Sequence, residues 1–479
     1  MKPHRSFLFS FSEKYTLLVL NTIGAMVLAR LLTPADVGVY AVGAVMIGMV
    51  QALRDFGVGA YVIHARELDR QQLRAALGVS ILVAWTLALL VLAISVPAAW
   101  FYQDGRLRTV LQLLAINFAL IPFSAVALPY LRRQMRFSAI FAINTSQCAA
   151  QMLCSIVLAK LGWGYLSLAW GAVAGAVGTL LATMWWRPSG LPWLPGRQGI
   201  RKILSFGSVS TAGTLIDEAG VAAPDLIIGK MTGLAEVGIY SKAMGVINVF
   251  NQLVTAAVSP VIFPLFSLQA REGHDLRQAY LTTVSYMTAL AWPFFGFVAL
   301  MAPALVRVLY GDQWDAAVPL IRIICIASAL YSMFSMARYL FVAMGEVQAQ
   351  ARLDVMAVPV RVIAVLAAAP FGLEWVGWAV LLGAVFRSGL TFFYLRRLVG
   401  MRWRQLLAAS RRSGAVAGLC LCGVAAVRIW QPAAQALPQL AVAAVVCALL
   451  WFAAIHYVRH ALANECTLAA RKALALLQR

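Results

Sequence analysis

The sequence predicts an all-α polytopic membrane protein of about fourteen transmembrane helices, with two parallel-repeat lobes of six helices each and two further helices at the carboxyl end. Three observations predict it: a composition too apolar for a soluble core, an almost unbroken series of helix-length apolar runs, and a sequence echo between the two halves.

Of 479 residues, 62% are hydrophobic and only 12% are charged, against about 45–50% and about 25% in an ordinary soluble domain. A hydrocarbon layer about 30 Å thick needs roughly 20 apolar residues per helical crossing. The chain supplies such runs at 15–31, 37–63, 76–101, 108–131, 138–160, 163–186, 203–229, 237–266, 279–309, 318–342, 354–371, 375–395, 413–430 and 439–458. Charges but no small-residue cleavage site precede the first run, so it reads as a retained helix. The connections are short, and those at 162–164 and 311–315 leave no room for an external domain.

The formal charge of +21 would suggest nucleic acid in a soluble protein, but here the basic residues cluster between apolar runs. One alternate set of connections carries 26 Lys and Arg, from the amino terminus through 66–74, 132–136, 187–202, 271–277, 352 and 396–412 to the tail. The other set carries seven: Arg30, Arg106, Arg108, Lys160, Lys230, Arg307 and Arg428. The positive-inside rule then places both termini in the cytoplasm and assigns the charge to topology and anionic lipid, with no nucleic-acid partner. Cys148, Cys154, Cys325, Cys420, Cys422 and Cys447 fall within apolar runs without metal-ligand spacing and read as small hydrophobes. No metal or cofactor is expected.

Duplication is the next signal. Arg30-Leu-Leu-Thr-Pro-Ala-Asp-Val-Gly-Val-Tyr40 returns as Lys230-Met-Thr-Gly-Leu-Ala-Glu-Val-Gly-Ile-Tyr240, and Gly162-Trp-Gly-Tyr-Leu-Ser-Leu-Ala169 resembles Gly372-Leu-Glu-Trp-Val-Gly-Trp-Ala379. Six helices per repeat is an even number, so the halves share one topology. The expected organisation is a lobe over 1–200, a second over 201–400, and two extra helices with a tail over 401–479. The repeated segment has a local explanation: Thr33 as N-cap, Pro34 in the first helical position and Asp36 in the third, with Gly233 and Glu236 repeating the pattern.

With Ala29 to Tyr40, Asp55-Phe-Gly-Val-Gly59, Ile228 to Lys242, Phe263-Pro264 and Tyr310-Gly-Asp-Gln-Trp314 in this order and spacing, the chain resembles the polysaccharide-transporter branch of the multidrug, oligosaccharidyl-lipid and polysaccharide exporter superfamily, the Wzx-type flippases. The resemblance implies a two-lobed bundle around a central cavity. It also implies a substrate, an undecaprenyl-diphosphate-linked oligosaccharide carried from the cytoplasmic to the periplasmic leaflet of the bacterial inner membrane. Other polysaccharide assembly proteins are then expected as partners.

Such a headgroup cannot enter hydrocarbon unsolvated, so ionisable residues within the spans are the candidate site. Arg361 and Arg387, about 10 and 12 Å from the cytoplasmic ends of their helices by helical rise, are the first candidates for the diphosphate, since guanidinium offers planar paired donors. Arg54 and Arg338 lie at shallower depth and are further cavity candidates. The alternative for the two deeper arginines is pairing with Asp217, Glu218 or Asp354. Asp217 and Glu218, about 21 Å into their helix, are candidates with Asp55 for coupling to H+ or Na+; an internal salt bridge is the other reading. Lys242 and Arg322 lie near outer ends and read as snorkelling cations. Pro122, Pro129, Pro260, Pro264, Pro293 and Pro359 mark potential bends.

Other functions fit less well. A membrane-embedded polymerase or ligase needs an external catalytic loop, and no nucleophile-base pair, phosphate-cradling loop or metal constellation is visible, with histidines scattered at 4, 64, 274, 456 and 460. A cation-coupled multidrug exporter of the same superfamily shares the architecture, but a cationic cargo favours acids and aromatics over arginines.

Overall fold

Hydrocarbon offers the backbone no hydrogen-bond partner, so a chain of this composition satisfies its peptide groups within helices. The computed structural model describes residues 3–54, 58–64, 69–188, 190–192, 194–196, 218–430, 436–463 and 467, and among these no strand occurs. Among the described residues twelve helices are long and apolar enough to cross a membrane, and the pair Gly105–Leu120 and Pro122–Arg133, bent by 43°, makes a thirteenth when taken as one span. The remaining expected span, 203–229, lies outside the described residues over 203–217 and is helical over 218–231. The chain is a multi-pass membrane protein.

Of the prolines read as bends, Pro122 sits at that 43° break, where its missing N–H interrupts the ladder. Pro260 and Pro264 lie in Ala256–Arg271 behind a single π turn at Asn251–Thr255. By contrast, Leu276–Leu309 and Val347–Ala368 run unbroken through Pro293 and Pro359.

Spatial proximity divides the chain into two units, Met1–Ser241 and Lys242–Arg479, a boundary inside the helix Leu234–Phe250. In the first unit, Phe137–Lys160 packs between Pro3–Leu31 and Tyr165–Trp185, and Arg70–Tyr102 packs on Gly105–Leu120. Glycine permits the closest of these approaches: a Cβ on Gly171 would fall 1.8 Å from Ser155 Oγ.

The repeated segment also lies in this unit, and its caps form as expected. Thr33 N–H donates to Asp36 Oδ2 (3.3 Å) and Asp36 N–H donates to Thr33 Oγ1 (3.2 Å), a reciprocal capping box opening Pro34–Arg54. The other oxygen, Asp36 Oδ1, accepts from Tyr165 N–H (3.2 Å), so one carboxylate serves two helix starts. In the second copy Glu236 folds back on Gly233, whose φ of 121° suits glycine.

Capping is only half of what this segment does. A Cβ on Gly38 would lie 1.6 Å from the Leu234 carbonyl oxygen, and one on Gly238 would lie 2.1 Å from that of Pro34. The two copies therefore touch backbone to backbone through equivalent glycines, a contact closed to any side chain.

In the second unit Leu276–Leu309 packs against Ala317–Ser332, Trp403–Trp430 and Ala436–Tyr457. Polar ties fix the last two helices to it: Trp451 Nε1 donates to the Ala289 carbonyl (2.8 Å) and Arg428 to that of Leu300 (3.2 Å). Where the last helix ends, His460 is buried with 2% of its surface exposed. Its Nδ1 accepts from Leu462 N–H (3.1 Å), and a backbone N–H only donates, so the ring proton sits on Nε2. That nitrogen lies 3.0 Å from Ser285 Oγ and 3.2 Å from Ser413 Oγ. A second proton would face the Leu462 N–H, and burial, aided by the nearby Arg412 charge, holds the imidazole below its ordinary value of 6.5.

Two predictions follow from this packing. Gly38→Leu or Gly238→Leu should destabilise the protein in detergent by at least the 1–3 kcal/mol typical of overpacking, whereas Gly48→Ala, with nothing within 4 Å of the added carbon, should leave the melting temperature unchanged or raised. Because folded His460 resists protonation, its contribution to stability is complete above pH 6.5 and declines as the pH falls below it. Thermal melts between pH 7.5 and 5.5 should show a steeper loss in the wild type than in His460→Gln.

Candidate functional site

The helices Val347–Ala368 and Leu373–Val399 lie side by side, and their seam gathers Asp354, Arg361 and Arg387. Asp354 and Arg361 are seven residues apart, two helical turns, and so share one face of the first helix. Gly383 and Arg387, four apart, share one face of the second. A Cβ on Gly383 would lie 3.1 Å from Arg361 Cγ, so the missing side chain makes room for the arginine stem. Arg387 Nη2 donates to Asp354 Oδ1 at 2.6 Å, and Gln350 Nε2 donates to Asp354 Oδ2 at 2.7 Å. The Arg387 guanidinium also stands 5.8 Å from the centre of the Tyr331 ring.

Asp354 is thus engaged on both oxygens and almost buried, with 9% of its side chain exposed against 27% for Arg387. The Arg387 charge is neutralised, its position is set by Asp354 and Tyr331, and part of its surface remains open. The sequence identified both arginines and named Asp354 as a possible partner; it did not single out Gln350 or Tyr331.

The other expected site residues are more dispersed. Arg338 is exposed on the short helix Ala337–Ala343, which packs against Val347–Ala368. Arg54 is the half-buried last residue of Pro34–Arg54 in the first unit. Glu218 is half-buried at the first described position of the 218–231 helix, while Asp217 and Asp55 lie outside the described residues. Asp225, two turns further along, shares a face with the buried Ala222 and Ile228.

Lys242, read from the sequence as a snorkelling cation, rests on two aromatic rings. Its ammonium is 5.3 Å from the ring centres of both Tyr310 and Trp314, and those rings are 6% and 0% exposed. The side chain rests against an aromatic wall at the connection that follows Leu276–Leu309. Two segments noted in the sequence, Ile228 to Lys242 and Tyr310 to Trp314, meet here; one brings the cation and the other the two rings.

A cavity of about 480 Å³ in the first unit is lined by Tyr102, Asp104, Arg106, Lys230 and Glu236 among others. Asp104 caps the Gly105–Leu120 helix and pairs with Arg106 at 2.7 Å. Burial alone would raise its carboxyl, but the hydrogen bonds from the Arg106 side chain and backbone outweigh it and hold the group below its ordinary value. A second cavity, about 460 Å³ and apolar, lies in the second unit between Trp292, Cys325 and Leu421. Among the described residues no group of three His, Cys, Asp or Glu converges to hold a metal ion.

Comparison with known proteins sets this arrangement in context. The lipopolysaccharide biosynthesis protein WzxC of Escherichia coli K12 is 22% identical over 399 residues, which cover 81% of this chain and 80% of WzxC. The teichuronic acid biosynthesis protein TuaB of Bacillus subtilis 168 is 22% identical over 293 residues, 58% of each chain; the match thus spans little more than half of that relative. Among solved structures, the lipid II flippase MurJ in an inward closed conformation superposes with a TM-score of 0.77 at 9% identity, over 95% of this chain and 99% of MurJ. An inward-facing multidrug resistance transporter of the MATE family matches with a TM-score of 0.66 at 16% identity, over 80% of this chain and 94% of that one. At these identities the superpositions establish the fold. Residues 27–319, more than half of the chain, match the family of polysaccharide biosynthesis proteins, and the chain belongs to that family.

Proposed function

We propose that this protein is a flippase that carries a polyprenyl-diphosphate-linked oligosaccharide, with undecaprenyl as the lipid, across the bacterial inner membrane for cell-surface polysaccharide biosynthesis. Transport proceeds by alternating access, with both termini in the cytoplasm. The observation that carries the reading is the coincidence of a polysaccharide-biosynthesis family match with the fold of a lipid II flippase over 95% of the chain.

The chemistry of the cargo agrees with the charges in the spans. Moving a diphosphate through hydrocarbon requires donors that replace its water. Arg361 and Arg387 are assigned to that task, with Arg54 and Arg338 as shallower contacts. Arg387, its charge balanced by Asp354, acts as an oriented hydrogen-bond donor more than as a net positive charge. Asp217, Glu218 and Asp55 are the proposed carboxylates for coupling to H+ or Na+. The lipid-linked sugar reaches the protein from, and leaves it for, other polysaccharide assembly proteins. The MATE likeness keeps a cation-coupled multidrug exporter as the second reading.

A strain deleted for this gene should accumulate lipid-linked oligosaccharide on the cytoplasmic side and lose surface polysaccharide, with sensitivity to cationic dyes unchanged; dye sensitivity with normal polysaccharide would favour the drug exporter. Arg361→Ala should reduce export of labelled lipid-linked sugar at least tenfold at equal membrane insertion. Arg387→Met alone should also lower stability by about 3–5 kcal/mol, the cost of stranding a buried partner. The double variant Arg387→Met, Asp354→Leu should recover that stability without recovering export; full export in the double variant would make the pair purely structural.

A further inference from the structure

We infer that the cavity beside the second copy of the repeated segment is a subsite for the uncharged sugars of the cargo, with the Glu236 carboxylate and the Arg106 guanidinium as its contacts. The inference rests on the flippase reading above, which supplies a glycan, and adds to it a place where that glycan is recognised apart from the diphosphate.

The cavity, of about 480 Å³, falls within the roughly 300–1,000 Å³ of small-molecule sites. Its charged lining consists of Asp104, Arg106, Lys230 and Glu236, two acids against two bases. A diphosphate would meet two carboxylates there and a cationic drug would meet two cations, so the lining favours a ligand without net charge. Arg106 and Lys230 stand on the connections poor in basic residues, so the proposed topology turns this cavity to the outer face.

Duplication identifies the group that capping does not explain. At the offset that aligns Gly38 with Gly238, the counterpart of Glu236 is Asp36. Both oxygens of Asp36 are consumed: Thr33 N–H and Oγ1 donate to Oδ2 (3.3 and 2.6 Å), and Tyr165 N–H donates to Oδ1 (3.2 Å). In the second copy Gly233 stands in the place of Thr33 and offers no hydroxyl. The half-buried Glu236 carboxylate lies over it, with no hydrogen-bond or ion-pair partner among the described residues. An acceptor is thus left open on the cavity wall, and donors stand near it. Arg106 Nε and Nη2 donate to Asp104 (3.1 and 2.7 Å), while Nη1 makes no hydrogen bond among the described residues and 42% of the side chain is exposed. Lys230 donates to the Phe101 carbonyl, which uses one of its three N–H groups. A sugar hydroxyl both donates and accepts, so an open carboxylate beside spare cationic donors suits it through charge-assisted hydrogen bonds.

The test uses the full chain purified in a detergent without a sugar headgroup. The probe is a neutral oligosaccharide hydrolysed from the host's own surface polysaccharide and freed of acidic fragments by anion exchange, with binding followed by calorimetry. Wild type should bind it with an affinity that does not change as salt rises, because the ligand carries no charge to screen. Glu236→Ala and Arg106→Gln should each bind at least tenfold more weakly, and neither sodium pyrophosphate nor glycine should displace the sugar. Arg106→Gln keeps the backbone N–H that Asp104 accepts, so it carries the test if Glu236→Ala loses its melting transition. Affinity within twofold of wild type in a folded variant of either residue would overturn the proposal, as would displacement by pyrophosphate or glycine. A wild-type chain that exports lipid-linked sugar but binds no free oligosaccharide would also overturn it while leaving the flippase reading intact. A wild-type chain that exports no lipid-linked sugar would remove the flippase reading itself.

Discussion

Every feature of this protein answers to one constraint: within hydrocarbon a polar group has no partner but the protein itself. Backbone amides and carbonyls meet it by forming helices, and the helix ends meet it by capping. Asp36 shows how compactly this is done, with one oxygen closing the capping box of its own helix and the other receiving the first N–H of Tyr165–Trp185. Side-chain charges face the same demand and meet it in two ways, by an ion pair at Arg387 and by aromatic rings at Lys242.

Those two solutions have different consequences. An ion pair hydrogen-bonded at each carboxylate oxygen sets the geometry of the Val347–Ala368 and Leu373–Val399 seam and leaves little net charge. An aromatic wall sets the position of an ammonium and leaves its charge intact. Gly383 belongs to the first solution, since the space it leaves is filled by the stem of Arg361.

Packing between helices in oil lacks a hydrophobic drive, so close van der Waals approach carries much of the association. The glycines of the repeated segment illustrate it. Gly38 and Gly238 allow Pro34, Leu234 and their carbonyls to approach to distances that a single methyl group would forbid. The same residues that start two helices also set how closely the two copies of the motif lie, which explains why one short segment carries both a cap and a glycine one turn later.

Much of this was legible in the chain itself. Apolar run length located thirteen of the expected spans, because helical rise and membrane thickness leave few alternatives. The box of Thr33 and Asp36 was legible because a cap is local, made by residues three apart. Arg361 and Arg387 were singled out on similar grounds, since a charge within an apolar run is costly wherever it stands. Tertiary structure alone decided which partner each charge takes: Arg387 with Asp354, 33 positions earlier, and Lys242 with Tyr310 and Trp314, about seventy later. It alone brought Gly38 against Gly238 and seated His460 between Ser285 and Ser413. Local periodicity records which face of a helix is apolar. It does not record which other helix will lie against that face, because that choice is made by shape and charge between segments far apart in sequence.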